Sequence, residues 1–240
     1  MPVKIIGHRG ARNEAPENTK EGFIHAQKNG CVHFELDIQL SSDHELVVYH
    51  DTSLKRTSGI KGHISTTTFE VLQKIDARLN TPSWDTPCFI PSLQSVVDAT
   101  PDTLSWQFEV KKDTNSRMAI LLKKLEQFME QNKLFEKVTV TSSHKEFLAQ
   151  FKRKNPAIKT GYVAEYAHNK PVKSALKLEC SLLILKENLA SSHRIKDATT
   201  HGLEVSCWTV NELQRMEQLY ELNVASIITD IPTQAIKHFS

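Results

Sequence analysis

The sequence predicts an α/β fold, a (β/α) barrel built as a single domain. Short β-branched runs alternate along the chain with longer segments of helical period, which is the pattern of parallel strands joined by crossover helices. The chain has 240 residues, and such barrels commonly occupy about 200–250 residues as one unit. No repeat, low-complexity tract or block of like charges interrupts the alternation, so residues 1–240 are expected to form one domain.

Composition restricts the classes of protein to which the chain can belong. Hydrophobic residues make up 39% and charged residues 24%, the balance of a globular protein. Basic residues number 30 and acidic residues 28, and this net charge of +2 argues against a nucleic-acid partner. No run of about 20 apolar residues or secretory signal is evident, so we expect a cytoplasmic protein without a stable membrane anchor. The cysteines form no CxxC pair and are expected to be buried thiols: Cys31, Cys88, Cys180 and Cys207.

The predicted elements follow one another in a regular order. Nine strands are predicted, at residues 3–7, 32–38, 46–49, 104–110, 138–142, 158–163, 180–185, 205–209 and 226–229. Eight helices are predicted, at residues 18–28, 68–75, 93–99, 116–131, 145–154, 171–178, 211–222 and 233–238. A closed barrel needs eight strands, so residues 46–49 are expected to be an accessory hairpin arm. Residues 51–91 are rich in Ser, Thr, Gly and Pro and are expected to form an inserted cap over the catalytic face.

His8, Arg9 and Gly10 come directly after the first predicted strand. In a (β/α) barrel the C-terminal ends of the strands form the face on which active sites are built. Arginine offers a planar fork to phosphate oxygens and histidine can transfer a proton near neutral pH, so this pair suits phosphate chemistry. A strand-ending turn before a helix capped by Asn18 or Thr19 is the alternative interpretation.

Two further strands carry charged residues that share a face. Glu35 and Asp37 stand two residues apart and must point to the same side of a strand, and Glu109 and Lys111 repeat this spacing. Carboxylates that face inward repel one another and lose hydration, and a bound cation is the natural compensation. Oxygen ligands without cysteine favour Mg²⁺ or Ca²⁺, so Glu35, Asp37 and Glu109 are candidate metal ligands. Solvated strand ends or a simple ion pair are the alternatives.

A second histidine, His50, follows the apolar run at residues 46–49. Of two histidines at strand ends, one can act as general base and the other as general acid. Attack on phosphorus requires the base, and protonation of a leaving alkoxide requires the acid. Trp208 ends a late predicted strand, where its ring either lines a substrate pocket or serves simple packing.

In this order the motifs closely resemble those of the glycerophosphodiester phosphodiesterase family. The resemblance extends from Gly7 to Pro232, although residues 164–199 match only in the rhythm of strands and helices. The matching motifs are His8-Arg9-Gly10, Pro16-Glu17-Asn18-Thr19, Glu35-Leu36-Asp37 with His50-Asp51, Leu54-Lys55-Arg56-Thr57, Ile90-Pro91-Ser92-Leu93, Glu109-Val110-Lys111, Trp208-Thr209-Val210-Asn211 and Asp230-Ile231-Pro232.

The resemblance implies a TIM-type (β/α)8 barrel with a small insertion after the second catalytic strand. It implies hydrolysis of glycerophosphodiesters, such as glycerophosphocholine or glycerophosphoethanolamine, to glycerol 3-phosphate and an alcohol, with Mg²⁺ or Ca²⁺ as the cofactor. It also implies the residues of the site: His8 and His50 as the acid–base pair, Glu35, Asp37 and Glu109 as metal ligands, and Arg9 and Lys111 as phosphate ligands.

Three other interpretations stay open. A lysophospholipase D or another phospholipase-like enzyme on the same barrel would act at a membrane and expose an apolar patch near the site. A divalent-metal sugar isomerase also gathers carboxylates and histidines at strand ends, but Arg9 and Lys111 favour phosphate. A non-catalytic module with a structural ion would not need both His8 and His50 on one face.

Overall fold

Parallel strands form a closed cylinder in the computed structural model, which describes residues 3–239. The strands are β1 (Lys4–His8), β2 (His33–Leu40), β3 (Leu46–Val48), β4 (Ser105–Val110), β5 (Val138–Ser142), β6 (Lys159–Ala164), β7 (Leu182–Lys186), β8 (Glu204–Trp208) and β9 (Ser226–Thr229). Parallel pairing runs in the order β1, β9, β8, β7, β6, β5, β4, β2, and β1 pairs with β2 to close the barrel. The predicted TIM-type barrel is confirmed.

The third strand lies outside the cylinder, as we expected because nine strands are predicted and a closed barrel needs eight. Strand β3 pairs antiparallel with β2, with Ile38 opposite Val48 and Leu40 opposite Leu46. It therefore forms a hairpin arm with the C-terminal part of β2. The chain then continues into the inserted segment, residues 51–91.

Helices cover the outside of the barrel. They are α1 (Lys20–Lys28), α2 (Lys55–Ser58), α3 (Phe69–Leu72), α4 (Leu93–Ala99), α5 (Asn115–Gln131), α6 (Lys145–Lys154), α7 (Pro171–Lys177), α8 (Ser192–Thr200), α9 (Leu213–Glu221) and α10 (Pro232–Phe239). The one-turn helices α2 and α3 belong to the inserted segment, and each of the others follows one strand of the barrel. Thr19 caps α1 by accepting a hydrogen bond from the amide of Gly22.

The helices of the structure differ from the predicted ones at two places. No helix is predicted where α8 lies, because its sequence SHRIKDATT buries only Ile195 and Ala198 and so has a weak apolar period. Ser191 begins this helix by accepting a hydrogen bond from the amide of Arg194. The helix predicted at residues 68–75 is the single turn α3, because the chain then turns into a strand-like bridge between Asp76 and Phe89.

The core has three parts. The largest lies between the barrel and its helices and includes Leu36 and Ile38 of β2, three cysteines (Cys31, Cys180 and Cys207) and most buried helix residues. The barrel interior holds a smaller apolar cluster: Ile6, Val163, Leu182, Ile184 and Ile228, with the half-buried Trp208 against it. The inserted segment packs on β3 through its own cluster: Val47, Tyr49, Leu54, Ile64, Leu72, Ile75, Ala77 and Ile90. All four cysteines are buried and unpaired, as predicted.

An aromatic cluster fastens α1 to the strands that carry the acidic residues. Phe23 of α1 meets Phe34 of β2 edge-on with ring centroids 5.5 Å apart, and Trp106 of β4 lies 5.5 Å from Phe34. Edge-to-face and offset rings at such separations contribute packing beyond the area they bury. The cluster therefore keeps β2 and β4 in register behind the charged face of the barrel mouth.

We expect Phe34→Ala to lower the free energy of unfolding by about 3–5 kcal/mol, because it leaves a cavity at the centre of this cluster. Urea unfolding followed by circular dichroism measures the change. Leu104→Ala is the control, since Leu104 is 60% exposed and should cost less than about 1 kcal/mol. Equal losses in the two variants would contradict the assigned role of the cluster.

Candidate active site

The C-terminal ends of three neighbouring strands bring the predicted acidic residues and His8 together. In the closed barrel His8 of β1 lies opposite Glu35 of β2, and Asp37 of β2 lies opposite Glu109 of β4. The alternation of side chains along a strand turns these residues into the barrel mouth, while Leu36 points outward and is fully buried.

The three carboxylates form a cluster that fits a metal ion. Glu35, Asp37 and Glu109 each offer one carboxylate oxygen, and these oxygens lie within 4.8 Å of one another. Oxygens that coordinate one divalent ion at about 2.0–2.6 Å can be no more than about 5 Å apart, so the spacing is compatible with shared coordination. The Oε1 atom of Glu35 is buried and has no hydrogen-bond partner within residues 3–239, which leaves it available as a ligand.

Two basic side chains balance the charge of this cluster. The ammonium group of Lys111 lies 2.8 Å from Asp37 and 2.6 Å from Glu109, and Nε of Arg9 lies 3.1 Å from Asp37. Burial alone would raise the pKa of Asp37, but Lys111 and Arg9 outweigh it and lower that pKa. Burial, and then the charges of Asp37 and Glu109, raise the pKa of Glu35 well above its ordinary value. The charged form of Glu35 is therefore disfavoured in these surroundings.

His8 is buried and oriented by a carboxylate from the last strand. Its Nδ1 atom lies 2.5 Å from Oδ1 of Asp230, and its Nε2 atom lies 3.9 Å from Glu35. Asn211 holds Asp230 in turn: its amide donates to Oδ2 at 2.9 Å, and its carbonyl oxygen accepts from the backbone amide of Asp230. Burial, and then the charge of Arg9, lower the pKa of His8. Because Nδ1 of His8 is held by Asp230, the ring presents Nε2 toward the carboxylate cluster.

His50 is half-buried and has a comparable arrangement. Its Nδ1 atom lies 2.6 Å from Oδ1 of Asp51. Oδ2 of Asp51 accepts a hydrogen bond of 2.6 Å from Nε of Arg56, which belongs to the inserted segment. The amide of Gln39 donates to the backbone carbonyls of Tyr49 and Asp51, and so fixes the chain on either side of His50.

A cluster of arginines surrounds one buried glutamate beside the site. Glu17 accepts from Arg9 at 2.9 Å, from Arg12 at 3.1 Å and from Arg56 at 2.8 and 2.7 Å. Arg9 and Gly10 have positive φ angles of 51° and 88°, so the chain turns sharply here and directs the guanidinium of Arg9 between Glu17 and Asp37. Arg9 and Lys111 both lie beside the carboxylate cluster, but each is engaged in ion pairs.

Trp208 lies across the mouth from the acidic residues. It borders the same pocket as His8, Glu35 and Glu109, on a wall that is otherwise apolar and consists of Val163, Ile184 and Ile228. Its indole nitrogen is buried and has no hydrogen-bond partner among the described residues. The pocket therefore has one charged side and one apolar side.

Several residues that organise the site are not singled out by the sequence, although they lie in motifs that the resemblance includes. Asp230 is 222 residues from His8, but closure of a barrel makes the first and last strands neighbours, which is a signal that could have paired them. Glu17 and Arg56 meet only because the inserted segment folds back, and no local pattern indicates that contact. The sequence singles out Arg9 and Lys111 as the basic residues near the predicted strand ends, and Arg12 and Arg56 join the ion pairs around the site as well.

Comparison with known proteins identifies the family. The model of the glycerophosphoryl diester phosphodiesterase family matches residues 8–234. A glycerophosphodiester phosphodiesterase of Bacillus altitudinis is 28% identical over 244 residues, covering 98% of this chain and 97% of that protein. A lysophospholipase D of Mus musculus is 26% identical over 268 residues, covering 95% of this chain and 83% of that protein. The chain belongs to the glycerophosphoryl diester phosphodiesterase family and is a phosphodiesterase that acts on glycerophosphodiesters.

The fold is shared with solved structures. A phosphodiesterase of Oleispira antarctica, solved in complex with the product sn-glycerol-3-phosphate, has a TM-score of 0.87 and 22% identity, covering 99% of this chain and 96% of that one. At this sequence identity, the structural similarity shows that the two proteins share the barrel fold.

Glu17 should make the stability of the protein depend on pH. Burial would raise its pKa, but Arg56 and Arg9 outweigh burial and lower it from 4.5 to about 2. The stabilisation is complete above the unfolded pKa and is lost as pH falls from 4.5 toward 2, by about 3 kcal/mol. Urea unfolding at pH 7 and pH 3 should show a smaller acid loss in Glu17→Gln than in the wild type. Glu70→Gln, which alters an exposed pair with Lys74, should behave as the wild type; an identical acid loss in all three proteins would contradict the account.

Proposed function

We propose that this enzyme hydrolyses small glycerophosphodiesters, such as glycerophosphocholine or glycerophosphoethanolamine, to glycerol 3-phosphate and an alcohol. The observation that carries the proposal is the meeting of Glu35, Asp37 and Glu109 with two carboxylate-oriented histidines at one barrel mouth. A structural ion site has no need of two oriented histidines, and an isomerase has no need of the arginines and lysine beside them. The proposal takes residues 1–240 as a single catalytic unit.

Glu35, Asp37 and Glu109 would hold a divalent cation. The donor set consists of carboxylate oxygens, which suits Mg²⁺ or Ca²⁺ better than softer metals. When bound, such an ion polarises phosphoryl oxygens and offsets the charge that develops on them. The buried Oε1 of Glu35 and the raised pKa of its carboxyl, due first to burial and then to Asp37 and Glu109, support a cation at this position.

His8 and His50 would form the acid–base pair. Asp230 and Asp51 each occupy Nδ1 of one ring, so Nε2 of each histidine is left for proton transfer. One histidine removes a proton from the nucleophile, which is water or the neighbouring glycerol hydroxyl, and the other protonates the departing alkoxide. Arg9 and Lys111 lie beside the carboxylates, where a bound phosphate would meet them, and Trp208 would line the glycerol side of the pocket.

The products follow from which bond breaks. If the glycerol hydroxyl next to the phosphate attacks phosphorus, the head-group alcohol is the only leaving group and a cyclic phosphate forms. Water then opens this ring to give glycerol 3-phosphate. The Oleispira antarctica relative was solved with that product, which supports the same outcome here. Small diesters suit a protein that we predict to be cytoplasmic, and the four unpaired cysteines are in keeping with that prediction.

A lysophospholipase D activity is the second candidate. A relative from Mus musculus bears that name, and four large apolar side chains of the inserted segment are exposed: Ile60, Val71, Leu79 and Phe89. Such residues near a site can accommodate an acyl chain. Within residues 3–239 there is no helix with the length and apolar character needed to span a bilayer.

Removal of the metal or of one ligand should abolish activity while the fold persists. We expect EDTA to inactivate the wild type reversibly, and Glu35→Gln, Asp37→Asn and Glu109→Gln to weaken Mg²⁺ or Ca²⁺ binding at least about tenfold. Isothermal titration calorimetry measures the affinity, and circular dichroism checks the fold. Glu187→Gln is the control, because this acidic residue follows β7 outside the cluster. Unchanged metal affinity in all three ligand variants would contradict the proposed metal site.

The pH profile of kcat/KM should be bell-shaped, because one histidine must start neutral and the other protonated. We expect His8→Ala and His50→Ala to lose at least about a hundredfold in kcat, or to lose one limb of the profile. Initial rates between pH 5 and 9 provide the measurement. His168→Ala serves as the control, since His168 lies in a short turn after β6. Near-normal rates in both site variants would rule out acid–base catalysis by this pair.

Product analysis separates the two candidate activities. The enzyme incubated with glycerophosphocholine and a divalent cation should form glycerol 3-phosphate, detected with a coupled dehydrogenase, and choline. Phosphorus NMR follows phosphocholine in parallel. Accumulation of phosphocholine, or turnover of lysophospholipid micelles alone, would overturn the proposal and favour the second candidate.

A further inference from the structure

We propose that Arg56, supplied by the inserted segment, is a positioning residue that orients His50 through the carboxylate of Asp51. The proposal rests on the proposed function in so far as it takes His50 as one of the acid–base pair. It assigns to residues 51–91 a task beyond the cover over the catalytic face that the sequence predicts: they complete the catalytic arrangement.

Asp51 joins the two side chains through short contacts. Its Oδ1 atom lies 2.6 Å from Nδ1 of His50, and its Oδ2 atom accepts from Nε of Arg56 at 2.6 Å. Burial would raise the pKa of Asp51, but hydrogen bonds from Arg56 and His50 outweigh it and lower that pKa. An ionised carboxylate can only accept hydrogen bonds, so Nδ1 of His50 must carry the proton. The neutral ring is thereby fixed in the tautomer that leaves Nε2 as the acceptor.

Arg56 can orient Asp51 because it is itself held by Glu17. Its Nη1 and Nη2 atoms donate to the two oxygens of Glu17 at 2.8 and 2.7 Å, while Nε donates to Asp51. Every nitrogen of the planar guanidinium is therefore engaged, and the fork has one orientation. Glu17 is buried and also accepts a hydrogen bond from Arg9, so this chain of contacts connects His50 to the loop after β1.

The backbone that carries Arg56 is also restrained. The hydroxyl of Tyr49, the residue after β3, donates to the carbonyl of Leu54 at 3.0 Å and lies 2.6 Å from the hydroxyl of Thr57, so it holds both ends of α2. Asn80 donates from its amide to the carbonyl of Arg56 at 2.8 Å. These contacts connect the inserted segment to the guanidinium and, through Asp51, to the ring of His50.

Neutralisation of Glu17 is the competing role for Arg56, and kinetics distinguish the two. We expect Arg56→Gln to lower kcat for glycerophosphocholine about 10–100-fold, with KM and metal affinity within about twofold of the wild type. Arg56→Lys should restore the charge beside Glu17 but only part of kcat, because one ammonium cannot replace the planar fork. Arg78→Gln is the matched control: Arg78 lies in the same segment and donates to Asp76 and to the carbonyl of Trp84 rather than to Asp51 or Glu17, so kcat should stay unchanged.

Nitrogen NMR of the histidine side chains gives a readout that does not depend on activity. His50, assigned by comparison with His50→Gln, should show a single tautomer with the proton on Nδ1 in the wild type and in Arg78→Gln. Arg56→Gln and Asp51→Asn should show a mixture of tautomers. Asp51→Asn retains the pair between Arg56 and Glu17, so it tests the relay even if the Arg56 variants unfold.

The possible outcomes are distinct. Wild-type kcat together with an unchanged tautomer in folded Arg56→Gln would overturn the positioning role. Full recovery of kcat in Arg56→Lys would also overturn it, in favour of charge neutralisation alone. A wild-type enzyme inactive on glycerophosphocholine would instead contradict the proposed function, and the NMR comparison would still decide whether Arg56 orients His50.

Discussion

The arrangement of the barrel mouth depends on the compensation of negative charge. Three carboxylates at the ends of β2 and β4 lie close enough to share one ion, and two of them are buried. Such a group repels itself and loses hydration, so it can persist only beside positive charge. Lys111 and Arg9 supply part of that charge, and the buried oxygen of Glu35 marks where more is needed.

Two further carboxylates, outside the acidic cluster, orient the two histidines. Each ring places Nδ1 against a carboxylate, Asp230 for His8 and Asp51 for His50, and each carboxylate is held by a further side chain. For His8 that side chain is Asn211 from the loop after β8, and for His50 it is an arginine of the inserted segment. The two proposed proton-transfer groups are therefore held by separate parts of the chain.

Much of this could be predicted from the sequence, for identifiable physical reasons. Alternation along a strand forces Glu35 and Asp37 to one side, and the need for eight strands in a closed barrel leaves residues 46–49 as an outer arm. Helix α8 escaped prediction because only Ile195 and Ala198 are buried. The contact between Glu17 and Arg56 spans 39 residues and depends on how the inserted segment folds, which no local period expresses.

The central claim is that Glu35, Asp37 and Glu109 together bind the catalytic divalent ion. Mn²⁺ prefers the same hard oxygen ligands as Mg²⁺ and scatters X-rays anomalously, so a crystal soaked in Mn²⁺ tests the claim directly. The account predicts one strong anomalous peak within about 2.0–2.6 Å of an oxygen from each of the three carboxylates. An ordered ion elsewhere in the mouth, or no peak at a Mn²⁺ concentration that supports full activity, would contradict it.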